Sequence, residues 1–195
     1  GNATDIGYIK SEFEEYYNLG FSILAYDYQG YGTSEGNPSE KNSYLDIEAA
    51  YKFLVEEQKV LPKNIIVLGR SLGTGPTVHL ASRKKVGGVI LESPFYTAFR
   101  VRTSIPIFPI DKYRNNQKIT KIDAPLLIMH GDSDKIIPFW HGKNLFSIAN
   151  EPKKLLTIQG GGHNNYRDIM LDQYWIEIKN FINEINKTNR IEKIK

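Results

Sequence analysis

Residues Ile65-Ile66-Val67-Leu68 are followed at once by Gly69-Arg70-Ser71-Leu72-Gly73 and then by Thr74-Gly75-Pro76-Thr77-Val78-His79-Leu80-Ala81. A short apolar run bounded by glycine reads as a buried strand. The segment after it reads as a helix, so a G-x-S-x-G pattern falls on a strand-to-helix turn. That context makes the pattern a nucleophile elbow: a turn so tight that a Cβ beside the serine collides with backbone, which leaves the serine hydroxyl above the sheet edge. Ser71 is therefore the candidate nucleophile.

A serine hydroxyl is a weak nucleophile at neutral pH and needs a base, for which histidine is suited. The base in turn needs a carboxylate to fix its tautomer. In a sheet of strands alternating with helices such groups lie beyond the carboxyl ends of the strands. Phe21 to Tyr26 reads as a strand ending at Asp27, and Ile65 to Gly69 as one ending at Ser71. Gly87 to Leu91 ends at Glu92-Ser93-Pro94-Phe95, and Pro125 to Met129 at His130-Gly131-Asp132-Ser133-Asp134. Lys154 to Ile158 ends at Gln159-Gly160-Gly161-Gly162-His163. Five strands predict a largely parallel, doubly wound α/β sheet. Helices are expected over Asp5 to Leu19, from Ser39 or Asn42 through Val55, and from Ile169 to Ile185. The polar tail from Asn186 onward is expected to fray. The length suits a single domain over 1–188, with 189–195 as tail.

Four histidines compete for the role of base. His79 follows Ser71 by eight residues on one helix, about 12 Å along the axis, which is too far. His130 reads as a packing and hydrogen-bonding residue at a strand end, and His141 as a partly exposed residue at a helix start. His163, after three glycines, can approach the elbow closely and is the candidate base. Asp132 and Asp134 both lie in a loop that could supply the acid, and spacing does not choose between them.

Composition excludes several classes. The chain has no cysteine, so disulfides, thiolate metal sites and a cysteine nucleophile are ruled out. Its 25 basic residues are mostly scattered and the net charge is +3, too weak a bias for a nucleic-acid partner. No apolar run reaches the length of a membrane span, and no signal-peptide pattern is present. No metal or cofactor is implied, and absent cysteine with absent signal favours a cytoplasmic setting. The oligomeric state is left open.

These residues resemble the α/β-hydrolase superfamily. The resemblance is carried by Gly69-Arg70-Ser71-Leu72-Gly73, by Asp27-Tyr28-Gln29-Gly30-Tyr31-Gly32-Thr33-Ser34, by His130-Gly131-Asp132-Ser133-Asp134-Lys135-Ile136-Ile137-Pro138 and by Gly162-His163-Asn164. Ser93-Pro94-Phe95 and Gly162-His163-Asn164-Asn165 are similar to the cap-poor branch that includes acyl-protein thioesterases (depalmitoylases) and bacterial relatives. The family pattern H-G-x-x-D-x-x-[VI]-P implies that Asp134 is the acid. It also implies that Gly1-Asn2-Ala3 is the remainder of an oxyanion loop, with backbone N–H groups of Asn2 and Leu72 as the oxyanion donors. Gln29 stands where the family has arginine, which questions the rigidity of that loop.

The resemblance implies a serine hydrolase cleaving a carboxylic ester or acyl thioester, small or protein-linked, through Ser71, His163 and Asp134. Alternatives are a peptidase or amidase of the same fold, and a non-catalytic binding module. Between Phe95 and Lys121 there is room for only a minimal cap. Phe95, Tyr96, Phe108 and Trp140 are candidate groove residues, each of which could equally be core. In the family sheet a further strand lies between the one ending at Asp27 and the one ending at Gly69, and it precedes the oxyanion loop. A longer protein, with roughly 60–100 more N-terminal residues, is therefore expected. The present chain is then expected to be poorly active, to associate, and to show a gap or distorted pairing between Phe21–Tyr26 and the elbow strand.

Overall fold

The structure is a computed structural model and describes residues 6–98 and 112–192. The chain divides into two compact units, Gly1–Val60 and Leu61–Lys195.

In the first unit a 3-10 turn, Ile6–Ile9, leads into helix α1, Lys10–Asn18. Helix α2 spans Glu40–Lys52 and ends in a π-helical turn, Phe53–Glu57. Ser39 caps α2: its side-chain oxygen accepts the Asn42 N–H at 3.0 Å, satisfying one of the donors a helix start leaves open. The strand expected at Phe21–Tyr26 is not formed. Residues 21–28 adopt neither helix nor strand, and Ile23 and Leu24 are exposed. An apolar run favours burial in a sheet, but only a hydrogen-bonded neighbour makes it a strand. The following loop is well tied. The Asp46 carboxylate accepts the Gln29 side-chain amide at 2.8 Å and the Gln29 backbone N–H at 3.0 Å. Gln29 thus anchors the position where the resemblance expects arginine.

The second unit holds a sheet of four parallel strands in the order β1 (Ile66–Arg70), β2 (Gly88–Glu92), β3 (Leu126–Gly131) and β4 (Lys153–Ile158). Every residue of β2 and β3 is buried, as expected where both faces are covered. Strands β1 and β4 are the edges among the described residues, and Leu68 on β1 is exposed. Helix α3 (Thr74–Ala81) follows β1 and helix α5 (Trp140–Ile148) follows β3. Between them the short helix α4, Asn115–Lys118, precedes β3.

The pleat sorts the strand side chains onto two faces. Val89, Leu91, Leu126 and Ile128 form one core with Val78 and Ala81 of α3, Leu145 of α5 and Ala149 just after it. On the other face Gly88 lies under the last helix, where a Cβ would come 2.5 Å from Ile185 Cδ1. Ile90 and Glu92 share that face by period two, as do their register partners Leu68 and Arg70.

The expected final helix is broken. Helix α6, Tyr166–Met170, stops at Leu171 (φ 48°), and helix α7 runs Asp172–Glu192. The helix extends to Glu192, into the stretch whose polar composition predicts fraying. None of the described helices is long and apolar enough to cross a membrane.

Candidate active site

The elbow lies between β1 and α3. Ser71 has φ 51°, a left-handed conformation that costs a non-glycine residue on the order of 1–3 kcal/mol. Residues Ser71–Gly73 form a 3-10 turn, and Thr74 Oγ1 donates to the Ser71 carbonyl at 2.7 Å. The turn tolerates no side chain at Gly69: a Cβ there would sit 2.6 Å from the Gly73 carbonyl oxygen and 2.5 Å from Thr77 Oγ1. A Cβ at Gly75 would meet the Tyr113 ring at 2.3 Å.

Ser71, His163 and Asp134 meet in one hydrogen-bonded chain. Ser71 Oγ is 3.1 Å from His163 Nε2, and His163 Nδ1 is 2.8 Å from Asp134 Oδ2. Asp134, not Asp132, faces the imidazole. Asp132 Oδ1 instead accepts the Gly160 N–H at 2.8 Å and the Ser133 hydroxyl at 3.0 Å. Burial alone would raise the Asp134 pKa. Hydrogen bonds from His130, His163 and the Ile137 N–H outweigh it and hold the group well below the usual carboxylate range. Its other oxygen, Oδ1, accepts the N–H groups of Ile136 and Ile137 at 2.9 and 2.8 Å. A charged carboxylate can only accept, so Nδ1 of His163 carries the proton and Nε2 presents its lone pair to the serine hydroxyl. The arrangement can take a proton from Ser71 and hold the resulting imidazolium against a fixed negative charge.

Close approach of two loops makes this possible. A Cβ on Gly131, at the end of β3, would lie 2.1 Å from the Gly161 carbonyl oxygen. Gly131→Ala is therefore expected to push the loop after β4 away from the loop after β3, separating His163 from Asp134. Backbone cannot yield as a side-chain tip does, so an expected 1–3 kcal/mol of stability is lost together with most Ser71 reactivity. Denaturant unfolding and labelling by an active-site serine probe check both; unchanged labelling would refute the account.

His130 is buried, as the packing role requires; its Nε2 lies 2.8 Å from the Ile137 carbonyl and 3.5 Å from Asp134 Oδ2. His141 is not partly exposed. It is fully buried in the first turn of α5, where its Nδ1 accepts the Tyr96 N–H at 3.0 Å and its ring stacks on Trp140. Of the groove candidates, Phe95 is buried edge-on to Tyr113, while Tyr96 and Trp140 are half-buried with ring centroids 6.5 Å apart. Leu72 follows Ser71 in the elbow turn. Asn2 and Phe108 lie outside the described residues. Among the described residues no group of three or more histidine or acidic side chains could hold a metal ion.

The profile of the family described as serine aminopeptidase, S33 (Hydrolase_4) matches residues 2–109, more than half of the chain. The chain belongs to this α/β-hydrolase family. It is similar to human alpha/beta hydrolase domain-containing protein 17B, with 40% identity over 190 residues, covering 94% of this chain and 64% of the relative. Protein 17C of Xenopus tropicalis is 41% identical over 188 residues, covering 93% and 59%. The chain thus spans less than two thirds of the length of these relatives. Among solved structures, Est1E of Butyrivibrio proteoclasticus with bound ferulic acid superposes with a TM-score of 0.77 at 21% identity, covering 96% of this chain and 86% of that one. A Paleococcus ferrophilus monoacylglycerol lipase gives 0.76 at 18% identity, covering 95% and 92%. These likenesses establish the α/β-hydrolase fold.

Two charged residues of this α/β-hydrolase had no role assigned from sequence. Glu92, fully buried at the end of β2, accepts the Tyr166 hydroxyl at 2.5 Å and Arg167 at 2.8 Å on one oxygen, and the Tyr174 hydroxyl on the other. Burial raises its pKa, but the Arg167 charge and these hydrogen bonds outweigh it and leave the carboxyl below its ordinary value. Arg70 reaches the loop of His163. The available signal was a single charged residue closing each of two otherwise apolar strands.

Glu92→Gln is expected to lose about 3–5 kcal/mol, because it leaves Arg167 without its buried counter-charge. The pH dependence has a definite sign. A carboxylate whose folded pKa lies below its unfolded value, about 4.3 for Glu and 3.9 for Asp, adds stability that is fully present above the unfolded value. That stability is lost as pH falls through the folded pKa. Unfolding free energy should fall on acidification below about pH 4, and Glu92→Gln should flatten the slope. Urea melts across pH provide the measurement, and an equal slope in the variant would contradict it.

Proposed function

We propose that the chain is the catalytic part of a metal-free serine hydrolase acting on a carboxylic ester or acyl thioester. The observation that carries this reading is the unbroken chain Ser71 Oγ–His163 Nε2, His163 Nδ1–Asp134, at 3.1 and 2.8 Å. Ser71 Oγ attacks the acyl carbon as its proton passes to His163 Nε2. The carbonyl oxygen becomes the oxyanion, which the Leu72 N–H is placed to hold in the family's elbow. On collapse the alcohol or thiol leaves with the proton from Nε2, and the acyl group stays on Oγ. Water then repeats the sequence: His163 takes its proton, the hydroxyl attacks the ester carbon, and Ser71 recovers its proton as the acid departs. Asp134 stays ionised throughout and orients the imidazole. Tyr96 and Trp140, half-buried beside one another, are proposed to line the acyl groove.

The family's description as a serine aminopeptidase favours a second reading, amide cleavage by the same triad. A series of p-nitrophenyl esters graded by chain length, run beside an acylated-peptide thioester and an aminoacyl p-nitroanilide, tests both. Turnover of esters or thioesters well above the anilide supports the first reading. Preference for the anilide favours the second. No turnover, with no labelling of Ser71 by a fluorophosphonate, would leave the binding module.

A further inference from the structure

We propose that Arg70, the residue before the nucleophile, is the positioning residue for the base: its guanidinium ties the His163 loop to the end of β1 so that the imidazole stays aligned. The inference rests on the triad reading above and adds to it a residue that touches no reacting atom.

The need for such a tie comes from the loop. The three residues before His163 are glycines and bring no side chain to pack it, and the side-chain ties of this stretch, Asp132 to the Gly160 N–H and Asn165 to the Gly162 N–H, fall before the histidine. The ring is aligned by two hydrogen bonds, one of them to Ser71 Oγ. In an acyl-enzyme Oγ carries the acyl group and no proton to donate, so that bond is lost midway through the reaction. The ring then keeps only its bond to Asp134, and a hold on the His163 backbone limits how far it can swing. One nitrogen of Arg70, Nη2, lies 3.2 Å from the His163 carbonyl oxygen and 3.2 Å from Asn164 Oδ1. It donates to two consecutive residues of the loop at once.

Arg70 is itself held in place. Its guanidinium lies over the Tyr166 ring, 5.5 Å from the centroid, and the Tyr166 hydroxyl is bound to buried Glu92. Arg70 and Glu92 are register partners on β1 and β2, so the pleat sends both side chains to the same face. One grips His163 and Asn164 while the other grips Tyr166, Arg167 and Tyr174. The planar guanidinium supplies several donors in fixed directions, which an ammonium on a flexible stem does not.

The test uses Arg70→Met, which keeps the apolar stem and removes the donors, and Arg70→Lys. Expected for Arg70→Met are a kcat loss of about tenfold to a hundredfold on the best ester, the scale of a small misplacement of a catalytic group. KM should stay within about twofold, since ground-state binding is not touched. The thermal midpoint should move by no more than about 4 °C. Arg70→Lys should recover part of the kcat. A second readout needs no turnover: the downfield proton NMR resonance of His163 Nδ1–H, assigned by its loss in His163→Ala, should broaden or vanish in Arg70→Met. An unchanged kcat and an unchanged resonance overturn the proposal. So does a rise in KM at constant kcat, which would make Arg70 a substrate contact. If the wild-type chain hydrolyses nothing and Ser71 takes no probe, the hydrolase reading fails, and the resonance still decides whether Arg70 positions His163.

Discussion

Ser71→Ala and His163→Ala are each expected to lower kcat by about 10⁴- to 10⁶-fold, with the double variant little worse than either. Non-additivity follows from the geometry. Oγ lies 3.1 Å from Nε2, so the serine is a useful nucleophile only while the base is there to take its proton. Once either is gone, the other has nothing to act on. KM should change little, because neither side chain gains its main interaction in the ground state. Both variants should fold. Ser71→Ala loses a hydroxyl and keeps the elbow backbone, while His163 is tied through its carbonyl to Arg70. Losses that simply multiply in the double variant would mean that the two residues do not act as a unit, and the nucleophile–base assignment would fall.

Asp134→Asn is expected to lower kcat by about 10⁴-fold, and Asp132→Asn by far less. The carboxamide is nearly isosteric, so the large effect is one of proton placement. As it stands, Asp134 Oδ1 is occupied by two backbone N–H groups and Oδ2 faces His163 Nδ1. In the variant the amide oxygen takes the Oδ1 site and the NH2 group is turned toward Nδ1. An NH2 there favours the tautomer with its proton on Nε2, which cannot accept from serine. Among the described residues the Asp132 carboxylate accepts from the Gly160 N–H and the Ser133 hydroxyl, so its loss loosens the glycine-rich loop without changing the tautomer. Steady-state rates of the two variants on one ester give the ranking. A reversed order would move the acid to Asp132 and contradict the observed geometry.

Ser71, His163 and the order Ser, Asp, His along successive strand ends were legible without coordinates, because local chemistry dictates them. A strand, a glycine-flanked serine and a helix can make only one kind of turn, and Ser71 at φ 51° is its expected product. Burial of β2 and β3 followed from Val, Ile, Leu and Met runs, which need no knowledge of their neighbours. The choice of Asp134 over Asp132 did not follow from spacing. Both sit in one turn, and which carboxylate faces the imidazole depends on how Gly131 packs against Gly161, a contact between loops about thirty residues apart. The family pattern pointed to Asp134, and in the fold that is the carboxylate facing the imidazole.

Tertiary structure alone decided the rest. Phe21–Tyr26 has a strand's composition, yet a strand is a relation between two segments, and no segment pairs with it among the described residues. The periodicity from Ile169 to Ile185 gave no sign of the break at Leu171, after which Tyr174 meets Glu92 from α7 as Tyr166 does from α6. His141 looked exposed because a helix start usually is, and burial came only from the packing of α5. The joint placement of Arg70 and Glu92 was within reach of the alternation rule, but only once β1 and β2 were known to be neighbours in register. Local sequence sets what each segment can be. Which segments become neighbours is set by the burial and hydrogen-bonding demands of the whole chain, and those demands brought Arg70 to the carbonyl of His163.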